Sequence, residues 1–522
     1  MNEYILFILA IIPIIWLIVS LGVMKLPAHK TCFFTVILTI VIALVFWKMP
    51  ILNVATATLE GVAVALWPIL LVIVAALFTY NLAVETKTMD TMKNMLSSIT
   101  TDNRIQVLIL AWGFGGFLEA VAGYGTAVAI PASILASLGF NPIFAAIICL
   151  IANTVPTAFG AIGIPVSTLA SVTGLDVLQL SYVTSLQLAI FIVLIPFALV
   201  ILTQKSFKAI KGVFTITLIS GITFALPQVF IAKYLGAELP ALIGSLCSML
   251  CTILMAKAMN KKIDINENKS SQNSSGSTMS QSVSVVSTKE GVLAWLPYIL
   301  LCVLILLASP LCKGINTFLT GFSSTIQIYN GEGASPTSFA WINTPGMIII
   351  ISTFIAGLIQ KVKIERMLDV FISTVKQLSK SFVTIMSIVA ISKVMSHSGM
   401  TSSISFGLCA MTGKMYPLIS PLLGAIGTFV TGSDTSANIL FGGLQVEAAK
   451  SLSIDPYWIA AANTAGATAG KMISPQSIAI ATSATGLIGS EGKIFSSTLK
   501  FCLGYVLILG ILVYIGSFIP II

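Results

Sequence analysis

Charge is what this chain has least of. Only 9% of its 522 residues are Asp, Glu, Lys or Arg, against about 25% in soluble domains, which excludes an ordinary water-soluble fold. Histidine is scarcer still, with only His29 and His397. So few imidazoles leave neither a histidine-rich metal site nor a nucleophile–base pair with its parts, and a membrane-embedded enzyme is disfavoured. No cofactor and no metal are expected. The eight cysteines fall mostly inside apolar runs without metal-ligand spacing, and Cys247 and Cys251, one helical turn apart, read as packed thiols. The first apolar run also lacks the basic lead and small-residue cleavage site of a secretory signal, so it reads as a retained span. The net charge of +9 comes from dispersed lysines and arginines. A nucleic-acid partner is therefore not expected.

Apolar length is what the chain has instead. Mean hydropathy is +1.02, and runs near the ~20 residues of a spanning helix lie at 4–24, 32–48, 61–84, 142–170, 180–204, 213–235, 239–258, 291–311, 345–360, 366–396, 456–483 and 496–520. Two more stretches, 105–138 and 416–450, are interrupted by glycines. In the first, the arm 125–138 has 14 residues. At 1.5 Å per residue it reaches about 21 Å, short of a core about 30 Å thick. Such arms suit re-entrant hairpins.

Orientation follows from basic residues in the loops. If Lys25 and Lys30 face the cytoplasm, alternation puts Lys87, Lys93, Arg104, Lys205, Lys208, Lys211, Lys361, Lys363, Arg366, Lys493 and Lys500 there too. The opposite side receives Lys48, Lys233, Lys313, Lys414 and Lys450. The expected fold is an all-α polytopic membrane protein of about 12 transmembrane helices plus two re-entrant hairpins, with both termini outside. A disordered cytoplasmic linker at 260–289, rich in Ser and Asn, separates residues 1–259 from 290–522. The first half holds scaffold spans 4–48, repeat one 61–204 with hairpin 105–138, and spans 213–258. The second holds spans 291–360 and repeat two 366–520 with hairpin 416–450.

The repeats are visible as matched strings. One reads Gly123-Tyr124-Gly125-Thr126, then Ala152-Asn153-Thr154, then Gly160 and Pro165; the other reads Gly432-Ser433-Asp434-Thr435, then Ala462-Asn463-Thr464, then Gly470 and Pro475. Asn to Gly is seven residues and Asn to Pro twelve in both. The loop charges give the two copies opposite orientation, the inverted-repeat architecture of secondary transporters, with broken helices meeting near the midplane. Glycine and proline interrupt those helices, exposing half-helix N-termini suited to a carboxylate.

A charge inside the membrane costs roughly 2.5–3.5 kcal/mol on insertion scales unless paired or hydrated. Glu119 and Asp434 at the hairpin tips are the candidate proton groups, and Asp434 also fits a helix N-cap. Lys471, directly after Gly470, is the candidate carboxylate-binding cation, with pairing to Asp434 or Glu119 as its alternative role. Lys393 and His397 read as interfacial, and Glu447 as solvated. The candidate substrate contacts are Lys471, Asn153, Thr154, Asn463, Thr464, Thr126, Thr435, Ser474 and Gln476.

The chain resembles the L-lactate permease family. The resemblance rests on Gly115-Gly116-Phe117-Leu118-Glu119-Ala120 running into Gly123-Tyr124-Gly125, and on Ala158-Phe159-Gly160-Ala161-Ile162-Gly163-Ile164-Pro165. It rests equally on Val430-Thr431-Gly432-Ser433-Asp434-Thr435-Ser436-Ala437-Asn438 and Gly470-Lys471-Met472-Ile473-Ser474-Pro475-Gln476-Ser477. The hairpins are also similar to the wider ion-transporter superfamily, whose members often work as elevators and dimers. The resemblance implies alternating-access symport of L-lactate, D-lactate or glycolate with protons, in a bacterial cell membrane, with the lipid bilayer and a second copy as partners. Tyr124, where a phenylalanine is expected, and the polar linker are departures that bear on the choice of acid. A sodium-coupled organic-anion carrier is the alternative, since Asn and Thr at helix breaks serve sodium equally; an anion channel ranks below both.

Overall fold

The computed structural model describes residues 2–24, 26–97, 99–123, 125–268, 288–308, 312–331, 334, 336–487 and 490–519. It is almost entirely helical, and among the described residues eleven helices are long and apolar enough to cross a membrane. Tyr124 lies outside the described residues. So does most of the expected linker 260–289, entered by helix Pro240–Asn268 and left by Thr288–Ala308.

The expected spans map onto this set with three regroupings. The run 142–170 is two pieces, Pro142–Ala152 and Gly160–Thr173, joined by a 3-10 turn. The run 366–396 divides into Ile364–Gln377, where charged and apolar residues segregate to opposite faces, and the span Ser379–Ser398. The run 456–483 is Pro456–Lys471 followed by Pro475–Thr485. Asn103–Val121, read as a hairpin arm, is itself of spanning length, while its partner Thr126–Ser137 is shorter. One departure from all-helical structure is a two-stranded antiparallel hairpin, Ser323–Ile326 with Thr337–Ala340, registered Ser323 to Ala340. Trp67 Nε1 donates to the Ala340 carbonyl at 2.7 Å, fixing that hairpin against a span.

Local sequence explains where the short helices begin. Asn141 and Asp455 each cap a helix whose first residue is proline, accepting from Ile143 N at 3.0 Å and Tyr457 N at 2.8 Å. Ser474 does the same before Pro475, accepting from Ser477 N at 3.1 Å. Proline at the first helical position removes a donor that would have had no partner anyway, and each cap contributes about 1 kcal/mol.

Lipid-facing positions carry exposed Ile, Leu and Phe, such as Phe34, Leu226 and Leu507. Apolar burial therefore drives helix association weakly here, and close backbone packing takes its place. The clearest case joins Tyr416–Thr431 to Pro456–Lys471. A Cβ on Gly424 would fall 1.9 Å from the Asn463 carbonyl, one on Gly466 1.9 Å from that of Pro421, and one on Gly470 2.1 Å from that of Ala425. Gly470 does not break its helix, as the sequence had suggested; with Gly466 it lets the helix touch its neighbour. The break falls later, at 472–474.

Candidate functional site

Four elements meet at a cavity of about 190 Å³: the tips of both hairpins and the broken segments of both halves. Among its lining residues are Glu119 and Gly123 from the first hairpin, Gly432 to Ser436 from the second, Gly160 and Ile164 from the first break, and Lys471 and Gln476 from the second. Ile73, Ser381 and Thr384 close it from helices Leu71–Glu85 and Ser379–Ser398, which belong to neither hairpin nor break. The volume lies below the ~300–1,000 Å³ of drug-sized ligand pockets and suits a few heavy atoms.

Glu119 is 3% exposed and reaches the cavity only because residue 160 is glycine. A Cβ there would stand 2.7 Å from Glu119 Oε1. Asp434 is 2% exposed and accepts from the Thr464 hydroxyl at 3.2 Å. One oxygen of each carboxylate, Glu119 Oε2 and Asp434 Oδ2, is buried without a hydrogen-bond partner among the described residues. Lys471, facing both, donates to the Gly432 carbonyl at 3.2 Å rather than to a carboxylate. Gly432, with φ of +72°, lies under the side chain of Gln476, so lysine and glutamine together hold the second tip. Two helix N-termini point here as well, those of Asp434–Ser451 and Pro475–Thr485, and each carries about half a positive charge. The arrangement can hold a small anion beside two protonatable groups.

Most of the other predicted residues fall elsewhere. Asn463 and Thr464 are fully buried behind the cavity in a hydrogen-bonded chain. Gln445 donates to Asn463 at 3.1 Å, Asn463 to Asn438 at 2.9 Å, and Asn438 to Thr464 at 2.8 Å. The chain ends on Asp434, and Tyr416 and Ser420 anchor its other end on Gln445 at 2.9 Å each. Asn153 and Thr154 are buried beside the first break, and Asn153 touches Thr157, which does line the cavity. Ser474 is spent as a helix cap, and Thr126 donates to the Gly123 carbonyl at 2.8 Å. Thr435 and Gln476 line the cavity.

One reading needs correction. Lys393 and His397, read as interfacial, are paired; both bind Glu60, at 2.7 and 2.8 Å, and Glu60 is 5% exposed. Tyr329 stacks on His397 with ring centroids 3.7 Å apart. Glu60 escaped notice because the apolar run was begun at residue 61, whereas the helix starts at Ile51, after Pro50. Asn438 and Gln445 were missed too. Their seven-residue spacing, two helical turns on one face of an apolar segment, was the available signal.

The sequence model of the family described as L-lactate permease matches residues 6–520. An L-lactate permease of Streptococcus iniae is 52% identical over 87% of this chain and 93% of its own. The glycolate permease GlcA of Escherichia coli is 35% identical over 98% and 95%, and an L-lactate permease of Bacillus subtilis 34% identical over 97% and 95%. Among solved structures, MtrF of Neisseria gonorrhoeae, described as illuminating a class of antimetabolite efflux pumps, aligns with a TM-score of 0.53 at 12% identity, covering 96% of this chain and 97% of its own. At that identity the likeness is one of fold.

Proposed function

The chain belongs to the L-lactate permease family, a multi-pass membrane protein, and we propose that it carries L-lactate, or its near relative glycolate, together with a proton by alternating access. The observation that supports this most is the central cavity, where one lysine and two helix N-termini face two carboxylates with unpartnered oxygens. With both acids ionised and Lys471 charged, the site carries one net negative charge before any substrate enters. A lactate anion would raise that to two in a medium of low dielectric, where like charges repel strongly. Binding the anion therefore favours protonation of Glu119 or Asp434, and protonation favours the anion. That reciprocity is the coupling a symporter needs.

In this reading the Lys471 ammonium takes the substrate carboxylate, and Thr435 and Gln476 stand close enough to read a 2-hydroxyl. Glu119 is the first proton group, since its free oxygen has no structural task. Asp434 is the second, held by Thr464. The paired hairpins and broken helices form the moving body of an elevator, and Ile73, Ser381 and Thr384 belong to the wall it moves against.

The test is uptake of labelled lactate into proteoliposomes with pH and sodium gradients imposed separately. Accumulation should follow an inward proton gradient without sodium, and glycolate should compete where propionate, lacking the hydroxyl, does so poorly. Accumulation that needs sodium would replace the proton in the scheme. Uptake without saturable counterflow would point to a channel.

A further inference from the structure

A second cavity, of about 380 Å³, lies against the other side of the first broken helix. Asp176, Glu238 and Pro345 stand in its wall, all at helix ends remote from the lysine-rich loops. Ser167, Thr168 and Ser171 line it from one face of Gly160–Thr173. The central cavity instead reaches Ala28 and Ser381, at helix ends next to those loops.

Ile164 belongs to both walls. It is buried, and it follows three residues in left-handed backbone, with φ of +44° at Ala161, +58° at Ile162 and +74° at Gly163. Left-handed backbone is disfavoured for L-residues, and for β-branched Ile162 it is a marked outlier, so the turn persists only because its surroundings hold it. Gly163 is pressed against the Ala237 carbonyl, 2.1 Å from where a Cβ would stand. The Pro165 carbonyl accepts from Asn438 Nδ2 at 3.1 Å, and the same amide donates to Thr464, which donates to Asp434.

We propose that the second cavity is the outer chamber of a single transport path, and that Ile164 is the partition closing it from the central cavity. This rests on the central cavity being the carrier site. A turn of three left-handed residues has few bonds to rotate in reaching right-handed helix, and that rotation carries Ile164 out of the wall between the chambers. The hydrogen bonds through Asn438 tie the partition to Asp434, one of the two carboxylates facing the substrate. The outer rim tolerates an approaching carboxylate despite its two acids. Asp176 is engaged in capping helix Val177–Gln204, accepting from Gln179 N at 2.9 Å. Burial pushes Glu238 up to about 7, so much of it is neutral near neutral pH.

The experiment labels single cysteines with a membrane-impermeant thiol reagent, in oriented vesicles of a chain whose native cysteines are serine. Ser171→Cys should react from the outer face, and Thr384→Cys from the inner face only. Adding Ile164→Ala should make Thr384→Cys react severalfold faster from outside, while Ile164→Leu, which keeps the bulk, should not. If Ser171→Cys is inert from outside, or if Ile164→Ala leaves outer labelling of Thr384→Cys unchanged, the partition is elsewhere. No lactate is present during labelling, so a wrong substrate assignment would leave this pattern intact.

Discussion

Two clusters of buried charge in this protein have nearly the same ingredients and opposite arrangements. In one, Glu60 takes Lys393 and His397 on its two oxygens at 2.7 and 2.8 Å, and nothing remains unsatisfied on the carboxylate. In the other, Glu119 and Asp434 each keep a buried oxygen without a partner among the described residues, and Lys471 donates its hydrogen bond to a backbone carbonyl. A closed cluster ties Ile51–Val64 to Ser379–Ser398 and has no capacity left for a ligand. An open one retains free acceptors and a free charge at a cavity. Membrane depth alone therefore does not mark a functional charge. Unfinished pairing is what sets the second cluster apart.

The sharpest way to break that contrast is Glu119→Gln. The neutral amide mimics a permanently protonated carrier, so accumulation driven by a pH gradient should disappear while lactate exchange persists. A variant that still concentrates lactate down a proton gradient would remove Glu119 from the coupling scheme.

Glu60→Gln tests the closed cluster. Removing one partner from a buried pair costs about 3–5 kcal/mol, because the other charge is stranded. The midpoint of thermal unfolding in detergent should fall markedly, with KM for lactate unchanged in the protein that remains folded. Adding Lys393→Met should restore much of the loss, since both desolvation penalties then vanish together. A shift in KM without loss of stability would make this cluster a transport site as well.

Lys471→Ala should act the other way round. A charge-assisted hydrogen bond contributes about 1.5–3 kcal/mol, and 1.4 kcal/mol is a factor of ten. Lactate binding, followed by calorimetry, should weaken about tenfold or more, and propionate by a similar factor, because both acids use the same carboxylate contact. Intact affinity with collapsed stability would mean that Lys471 resembles Lys393 after all.

A pH-linked effect belongs to Glu238, outside both clusters. Its folded-state value of about 7 lies above the ordinary carboxylate value of 4.5, so the fold prefers the protonated form. The associated stability is fully present below about pH 4.5 and is lost as pH rises through about 7. Glu238→Gln should flatten the corresponding slope of melting temperature against pH. An unchanged slope would assign the pH dependence to other groups.

Sequence alone carried the residue types furthest where their effect is local. Apolar length marks a span because lipid leaves backbone groups no other partner, and Asn141, Asp455 and Ser474 before prolines mark helix starts because capping involves only neighbouring residues. Matched spacing of Asn153 with Pro165 and Asn463 with Pro475 identified which segments to compare. Charge inside apolar runs brought Glu119, Asp434 and Lys471 forward as candidates, and those three share one cavity. What a side chain faces is not local. Asn463 and Thr464 have the same chemistry as a substrate contact, but Gln445, Asn438 and Asp434 occupy their hydrogen bonds, and those partners lie 18 to 30 residues away. Gly470 reads as a helix break in one dimension and, like Gly466, is a helix-to-helix contact in three, because the carbonyls of Ala425 and Pro421 arrive from another helix. Lys393 looked free until Glu60, over 330 positions earlier in the chain, was brought to 2.7 Å. Composition and spacing determined the elements and the charges at membrane depth; only tertiary packing decided which of those charges are paired and which still face a cavity, since pairing depends on partners that the chain supplies from distant segments.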